Sequence, residues 1–162
     1  MDDRDKRQRL VYDNPTLCGE CGGKCCRAAP GLMSPEDVAE FTGVSDMTAA
    51  LVVLLSTDFC VDWWEGDEKA FNDHTGWFIR PRISKDHRIM SPSWGGPCKF
   101  LRSDGCELEP SRRPAQCRLL EPQPGGFGHC VMHGESSKRE YALLWTPYHV
   151  NIQDAINSLE RS

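Results

Sequence analysis

The residues best suited to chemistry in this sequence are cysteines, and the first of them form a close group. Cys18, Cys21, Cys25 and Cys26 lie in a glycine-rich stretch and follow the pattern Cys-x-x-Cys-x-x-x-Cys-Cys. The spacing between Cys18 and Cys21 lets both sulfurs reach one metal ion at tetrahedral distances. The following Gly22 permits a turn in which backbone N–H groups point at sulfur and stabilise its negative charge. The spacing therefore predicts that this group binds metal.

The adjacent pair Cys25 and Cys26 leaves the kind of centre open. In an extended segment, neighbouring side chains point to opposite faces, so the two thiols would serve different ions or divide their roles. In the first turn of a helix, both could face one cluster. The pattern is therefore compatible with two zinc sites and with a polynuclear cluster.

A second group of cysteines occurs further along the chain, at Cys98, Cys106, Cys117 and Cys130. The dipeptide Asp104-Gly105 predicts a tight turn that brings Cys98 and Cys106 close together. Cys117 is predicted to lie on a short turn or helix. The two groups together supply enough thiols for two closed four-sulfur sites, so we expect two zinc ions. The alternative is that some of the second group are ordinary buried thiols, and it weighs most for Cys130.

Other candidate ligands carry a weaker pattern. His133 follows Cys130 by three positions and His129 adjoins it. Either could complete a metal shell, although a surface position is the favoured interpretation for both. Cys60 has no cysteine nearby and lies in an apolar, aromatic stretch that we interpret as helical, so it is expected to be a core thiol. No constellation typical of catalysis is identified, and the sequence makes no prediction of an enzyme.

The composition favours a small, loop-rich domain that is held together partly by metal. Hydrophobic residues make up 39% of the chain, which also contains 14 glycines and 11 prolines. No long apolar run occurs, and the charged stretch Met1 to Leu10 does not resemble a secretory signal. We therefore expect a cytoplasmic protein with no membrane partner. In a reducing compartment, clustered cysteines indicate metal or redox chemistry more often than disulfides.

The charge of the chain argues against nucleic acid as its main partner. The net charge is −5, whereas nucleic-acid-binding domains usually carry a clear positive face. A short basic strip is formed by Arg80, Arg82, Lys85 and Arg88, and we interpret it as the solvated face of a strand. A nucleic-acid-binding zinc protein that uses this strip is the last of three hypotheses.

The predicted elements indicate an α+β fold with several helices and a short antiparallel strand pair. Capping residues and apolar spacing predict helices from Ser34 to Gly43 and from Ser45 to Leu55, the second of them largely buried. Residues 57–75 are interpreted as a helix end and a loop. A strand from Trp77 to Ile83 is expected to pair with Ile89 and Met90 across a polar turn.

Two more helices are predicted towards the C-terminus, from Ser137 to Trp145 and from Pro147 onwards. One face of the last helix is apolar and consists of Ile152, Ala155, Ile156 and Leu159. Residues 1–14 are expected to form a flexible N-terminal segment. Residues 15–162 are expected to form a single cysteine-cluster metal-binding domain, because no repeat and no long linker divides them.

Four segments of this sequence resemble the YkgJ-type cysteine-cluster family, also described as the CxxCxxCC or zinc- or iron-chelating family. They read Cys-x-x-Cys-Gly-Gly-Lys-Cys-Cys-Arg, Pro-Ser-Trp-Gly-Gly-Pro-Cys-Lys-Phe-Leu, Gly-Cys-Glu-Leu and Arg-Pro-Ala-Gln-Cys-Arg-Leu-Leu-Glu-Pro. The resemblance implies a cysteine set of Cys18, Cys21, Cys25, Cys26, Cys98, Cys106 and Cys117, with Cys130 as an eighth member. The loop before the adjacent cysteine pair is one residue longer here than in the family pattern. The flagellin lysine methylases carry a similar cluster in a longer chain, but no loop for S-adenosylmethionine is found here and their activity is not expected.

The leading hypothesis is a metal-binding protein in which cysteine-bound zinc has a structural role and the surface binds another protein. Zinc is preferred because the first cysteine group is glycine-rich, the apolar content is low and catalytic-looking acids and bases are few. All-cysteine ligation suits iron equally well. An iron–sulfur or iron-binding protein with a redox or enzymatic role is therefore the alternative.

Overall fold

The computed structural model of the protein describes residues 31–64, 76–83, 89–90, 98–102, 105–109, 112–121, 123–124, 130–134 and 137–161. Over these ranges the fold is α+β, which confirms the predicted class. The helices are α1 (Pro35–Thr42), α2 (Met47–Leu55), α3 (Ala115–Arg118), α4 (Lys138–Trp145) and α5 (His149–Glu160), with a 3-10 turn at Thr146–Tyr148. The strands are β1 (Phe59–Trp64), β2 (Gly76–Pro81), β3 (Leu101–Arg102), β4 (Gly105–Cys106), β5 (Leu120–Glu121) and β6 (Val131–Met132). The N-terminal segment 1–14, predicted to be flexible, lies outside the described residues.

Local sequence signals explain α1 and α2, both of which are confirmed. At the start of α1, the Asp37 N–H donates to Ser34 Oγ at 3.3 Å and the Ser34 N–H donates to the Asp37 carboxylate at 2.9 Å. This reciprocal cap satisfies the N–H groups of Ser34 and Asp37. The Asp37 N–H lies in the first turn of α1, where a backbone N–H has no acceptor within the helix. Gly43 ends α1 with a φ of 70°, a left-handed conformation that favours glycine. Asp46 caps α2 with its side chain.

The helices α1 and α2 pack against each other. Within the described residues, no single helix is long and apolar enough to cross a membrane. The pair α1 and α2 meets that requirement of length and composition when the two are taken together, with a bend of 72° between them.

The longest strand pair consists of β1 and β2, and its first strand corrects a prediction. β1 lies within residues 57–75, where a helix end and a loop were expected. It runs antiparallel to β2, with Phe59 opposite Pro81 and Trp63 opposite Trp77. The prediction was wrong because the aromatic and β-branched side chains of β1 suit a pleated strand, and β2 supplies a partner for its backbone.

The pairing of Ile89 and Met90 also differs from the prediction. Val61 of β1 donates its N–H to the Ile89 carbonyl at 2.6 Å, and Val61 and Met90 form a parallel bridge. Since β1 is already paired with β2 along its other edge, this segment extends the sheet beside β1. The antiparallel partner of β2 is therefore β1, and not the segment that was expected.

The basic strip is not the solvated strand face that the sequence suggested. Arg80 is 1% exposed, and its Nε donates to Asp62 Oδ2 at 2.9 Å. Arg82 is partly buried and donates from Nε to a backbone carbonyl of β1 at 2.9 Å. Both guanidinium groups find acceptors across the strand pair, which removes them from the surface strip. Lys85 and Arg88 lie outside the described residues.

The core lies between the β1–β2 sheet and the helices. α4 packs on this sheet, and α5 packs on α2. Trp145, at the end of α4, is fully buried and donates its indole N–H to the Met33 carbonyl at 2.9 Å. The predicted apolar face of α5 is confirmed, with Ile152, Ala155 and Ile156 buried and Leu159 partly buried.

Candidate metal centre

Half of the predicted metal ligands fall in the part of the chain that the structure describes. These are Cys98, Cys106, Cys117 and Cys130, which are all partly buried. The first group, Cys18, Cys21, Cys25 and Cys26, lies outside the described residues. The structure therefore shows how the second group is held and which parts of the chain it faces.

Cys98 and Cys106 lie close together at one hairpin, as the Asp104-Gly105 dipeptide predicted. Cys106 is the last residue of β4 and stands opposite Leu101 of β3. Cys98 precedes β3 and forms an antiparallel bridge with Ile83, which follows β2. The two thiols are near enough to interact electrostatically. The hairpin therefore supplies a pair of neighbouring sulfurs.

The surroundings of Cys98 keep its thiol protonated in the metal-free chain. Burial raises the pKa of Cys98 from its usual 9.0 to about 11, and the nearby Cys106 also raises it. The backbone N–H of Phe100 and the guanidinium groups of Arg80 and Arg102 lower the pKa and offset part of this effect. These three groups would stabilise a thiolate once a metal ion displaced the proton, because cations and N–H donors favour charged sulfur.

Cys117 lies on the short helix predicted for it, and its sulfur contacts residue Gly31. An ideal Cβ placed on Gly31 would lie 2.1 Å from Cys117 Sγ. Non-bonded carbon and sulfur atoms do not approach so closely, so the sulfur occupies the space that a side chain at residue 31 would fill. Gly31 follows Cys26 by five positions in the sequence. The Cys117 thiol is therefore held beside the chain that leads out of the first cysteine group.

Hydrogen bonds fix α3 against the segment that leads into α1. Gln116 accepts the Leu32 N–H at Oε1 over 2.9 Å, and its own N–H donates to the Leu32 carbonyl at 3.2 Å. The Ala115 N–H donates to Asp37 Oδ2 at 2.7 Å, and Arg118 Nη2 donates to Asp37 Oδ1 at 2.5 Å. The Asp37 carboxylate therefore belongs both to the cap of α1 and to the docking of α3.

Asp37 and Arg118 form a buried ion pair that the sequence patterns did not point to. Burial raises the pKa of the Asp37 carboxyl, while Arg118 and the N–H groups of Ser34 and Ala115 act to lower it. Two signals were present in the sequence. Ser34 and Asp37 have the spacing of a capping box, and Arg118 directly follows Cys117. Neither signal shows that the two segments meet, since the ion pair joins residues 81 positions apart.

Cys60 is confirmed as a core residue, although it lies on β1 and not on a helix. It stands opposite Arg80 in the register of the sheet, and Arg80 pairs with the buried Asp62. Arg80 also acts electrostatically on Cys98. The sequence did not indicate this buried pair, because Arg80 was interpreted as part of an exposed strip.

Cys130 directly precedes β6, which pairs with β5. His133 Nε2 lies 3.6 Å from Glu121 Oε1 across this strand pair, and His129 lies outside the described residues. Among the residues whose positions are described, no three Cys, His, Asp or Glu side chains form a group that could hold a metal ion. The second cysteine group thus supplies a pair of thiols at one hairpin, a single thiol at α3 and a single thiol directly before β6.

No protein-family model matches the chain, no curated protein matches it and no solved structure matches it. The resemblance to the YkgJ-type family therefore stays a prediction that rests on the cysteine-bearing segments.

Proposed function

We propose that the protein binds two zinc ions through its cysteine cluster and that the metal has a structural role. The observation that carries the proposal is the contact of Cys117 Sγ with Gly31, where an added Cβ would come within 2.1 Å. This contact brings a thiol of the second group to the chain that follows the first group. The proposed ligands are Cys18, Cys21, Cys25, Cys26, Cys98, Cys106, Cys117 and Cys130.

The length of the intervening chain supports a centre that the two groups share. Cys26 precedes Gly31 by five positions, and five residues span at most about 18 Å when fully extended. Cys26 is therefore tethered within that distance of the residue that Cys117 contacts. A short tether raises the effective concentration of one thiol near another, which lowers the entropic cost of closing a shared site.

The short elements around the second group support a structural role for the metal. β3 and β4 have two residues each, as do β5 and β6, and α3 has four. Isolated strand pairs are marginally stable at best in water. A closed four-sulfur zinc site contributes on the order of 10 kcal/mol of apparent binding energy in small zinc domains, which is enough to hold such elements in place.

The proposal extends to the cellular context of the protein. We place it in the YkgJ-type family, in the cytoplasm, where reducing conditions keep thiols available for metal. We also propose a second protein as its partner. Three apolar side chains on the helices are exposed, namely Val53, Leu143 and Val150.

Metal analysis of the purified chain tests the proposal. Protein should be prepared anaerobically from its native host as well as from an expression host, because expression conditions can load zinc into an iron site. We expect a colourless protein with about two zinc ions per chain, as two closed four-sulfur sites require. Charge-transfer absorption in the visible with bound iron would refute zinc in favour of an iron or iron–sulfur centre. A chain that retains no metal would refute both.

A further inference from the structure

We propose that Asp37 is a positioning residue for the metal centre, whose carboxylate bridges α1 and α3 and holds the Cys117 thiol against Gly31. This role rests on the proposed function, because it concerns how one of the proposed ligands is presented. Asp37 lies outside the cysteine set and touches no proposed ligand atom through its own carboxylate. It acts through the helix that bears Cys117.

The Asp37 carboxylate contacts both ends of α3. No side chain at the N-cap position of α3 caps the helix, because Pro114 occupies that position. Asp37 Oδ2 instead accepts the N–H of the first residue, Ala115, at 2.7 Å. Asp37 Oδ1 accepts from Nη2 of the last residue, Arg118, at 2.5 Å. Cys117 lies between these two contacts on a helix of four residues.

Asp37 is itself held firmly in α1. Its Oδ2 also accepts the Ser34 N–H at 2.9 Å, in the cap of that helix. The side chains of Asp37 and Arg118 are 7% and 4% exposed, so water cannot replace either contact. Removing the charge of one partner of such a buried pair leaves the charge of the other without its counter-ion. The position of α3 is therefore set by α1 together with the two hydrogen bonds between Gln116 and Leu32.

The packing of α3 does not by itself require an ion pair. Ala115 and Leu119 already bury apolar side chains in the core at 2% exposure each. A well-packed apolar pair is often as stable as a buried ion pair, so stability alone is a weak reason for Asp37 and Arg118. The two contacts at opposite ends of α3 fix its rotation about its own axis. That rotation decides where the Cys117 sulfur points.

The test uses the whole chain with Asp37→Asn, which keeps the size of the side chain and removes its charge. Ile152→Ala serves as the control, because it creates a cavity in the core at α5, which packs against α2. In the reduced chain as purified, labelling of each cysteine by limiting iodoacetamide is measured by mass spectrometry. We expect Cys117 labelling to rise several-fold relative to Cys130 in Asp37→Asn and to stay at the wild-type ratio in the control.

The same variants are then loaded with zinc and mixed with a chelator. Release from Asp37→Asn should be about 10–100-fold faster than from wild type, as for other residues that orient metal ligands, and faster than from Ile152→Ala. If Asp37→Asn does not fold, Arg118→Lys carries the test. Arg118 also donates from Nε to the Arg113 carbonyl at 2.9 Å, and lysine cannot make both contacts.

Two results would overturn the role of Asp37. One is Cys117 labelling in Asp37→Asn that equals the control, and the other is raised labelling without faster zinc release. A wild-type chain that takes up no zinc would refute the proposed function, and with it any role in the centre. The labelling would still show separately whether Asp37 positions Cys117.

Discussion

Replacing Gly31 with alanine is expected to displace the Cys117 sulfur and so weaken metal binding. The new Cβ would lie 2.1 Å from Cys117 Sγ, 3.4 Å from the Cys117 N and 3.5 Å from its Cβ. Contacts between non-bonded heavy atoms are most favourable at about 3.5–4.0 Å, so the sulfur must move by more than about 1 Å. The Cys117 backbone is already in contact and α3 is fixed by hydrogen bonds. Rotation about χ1 of Cys117 is therefore the least costly response.

The size of this movement decides the outcome for the metal. Staggered rotamers differ by about 120°, which carries a cysteine sulfur about 3 Å from its original position. Metal–ligand distances are held within about 0.2 Å, so a sulfur displaced this far no longer binds. Overpacking costs about 1–3 kcal/mol in the free energy of unfolding. We expect Gly31→Ala to release zinc to a chelator at least about 10-fold faster than wild type, because even the loss of a supporting contact costs about 10–100-fold in metal affinity.

Gly134→Ala is a matched control for this variant. Its Cβ would lie 2.7 Å from Leu119 Cδ1, the end of a flexible side chain, with the other near Leu119 atoms at 3.7 Å. It should lower the melting temperature to a similar degree while the zinc content, measured after gel filtration, stays at the wild-type value. Zinc content and release from Gly31→Ala equal to those of Gly134→Ala would refute the placement of Cys117 in the centre.

Three further variants or conditions give predictions of their own. The Cys21→Ser variant should lose zinc and melt at a lower temperature than wild type. The Cys60→Ser variant should keep its zinc. A full zinc content and a wild-type melting temperature in Cys21→Ser would show that the site is misplaced. In the metal-free chain the folded pKa of Cys98 is about 11 against 9.0 in the unfolded chain. The contribution of the neutral Cys98 thiol to the free energy of unfolding should therefore be complete below about pH 9 and lost as the pH rises towards 11. Urea unfolding over a series of pH values measures this loss, and the ultraviolet absorbance of the thiolate follows the titration. A free energy of unfolding that is independent of pH over that range would contradict the assignment. Asp62→Asn removes the negative charge beside the buried Arg80 and should lower the free energy of unfolding by about 3–5 kcal/mol. A loss below about 1 kcal/mol in denaturant unfolding would contradict the burial of this pair.

Elements with local signals could be predicted from the sequence. The cap at Ser34, the stop at Gly43 and the apolar spacing of α5 each act within a few residues, so they define helices without tertiary information. β1 was missed because its aromatic and apolar residues suit either a strand or a helix over so short a run. Its strand state depends on β2, which pairs with it through residues 12 or more positions away.

The candidate site likewise has one part that local sequence signals predict and another part that they do not. The proximity of Cys98 and Cys106 was predicted correctly, because the sequence signal for the pairing of β3 with β4 is local. The contact of Cys117 with Gly31 and the pair of Asp37 with Arg118 join distant segments. No spacing rule within one segment reports such contacts, so these required the folded structure.

The central claim is that thiols from both cysteine groups bind the same metal, and X-ray absorption at the zinc edge tests it most directly. Wild-type protein should show an all-sulfur shell at about 2.3 Å. In Cys117→Ser the shell should lose sulfur and gain a lighter ligand at about 2.0–2.2 Å, or the zinc should be lost altogether. A full complement of zinc with an unchanged all-sulfur shell in Cys117→Ser would contradict the claim.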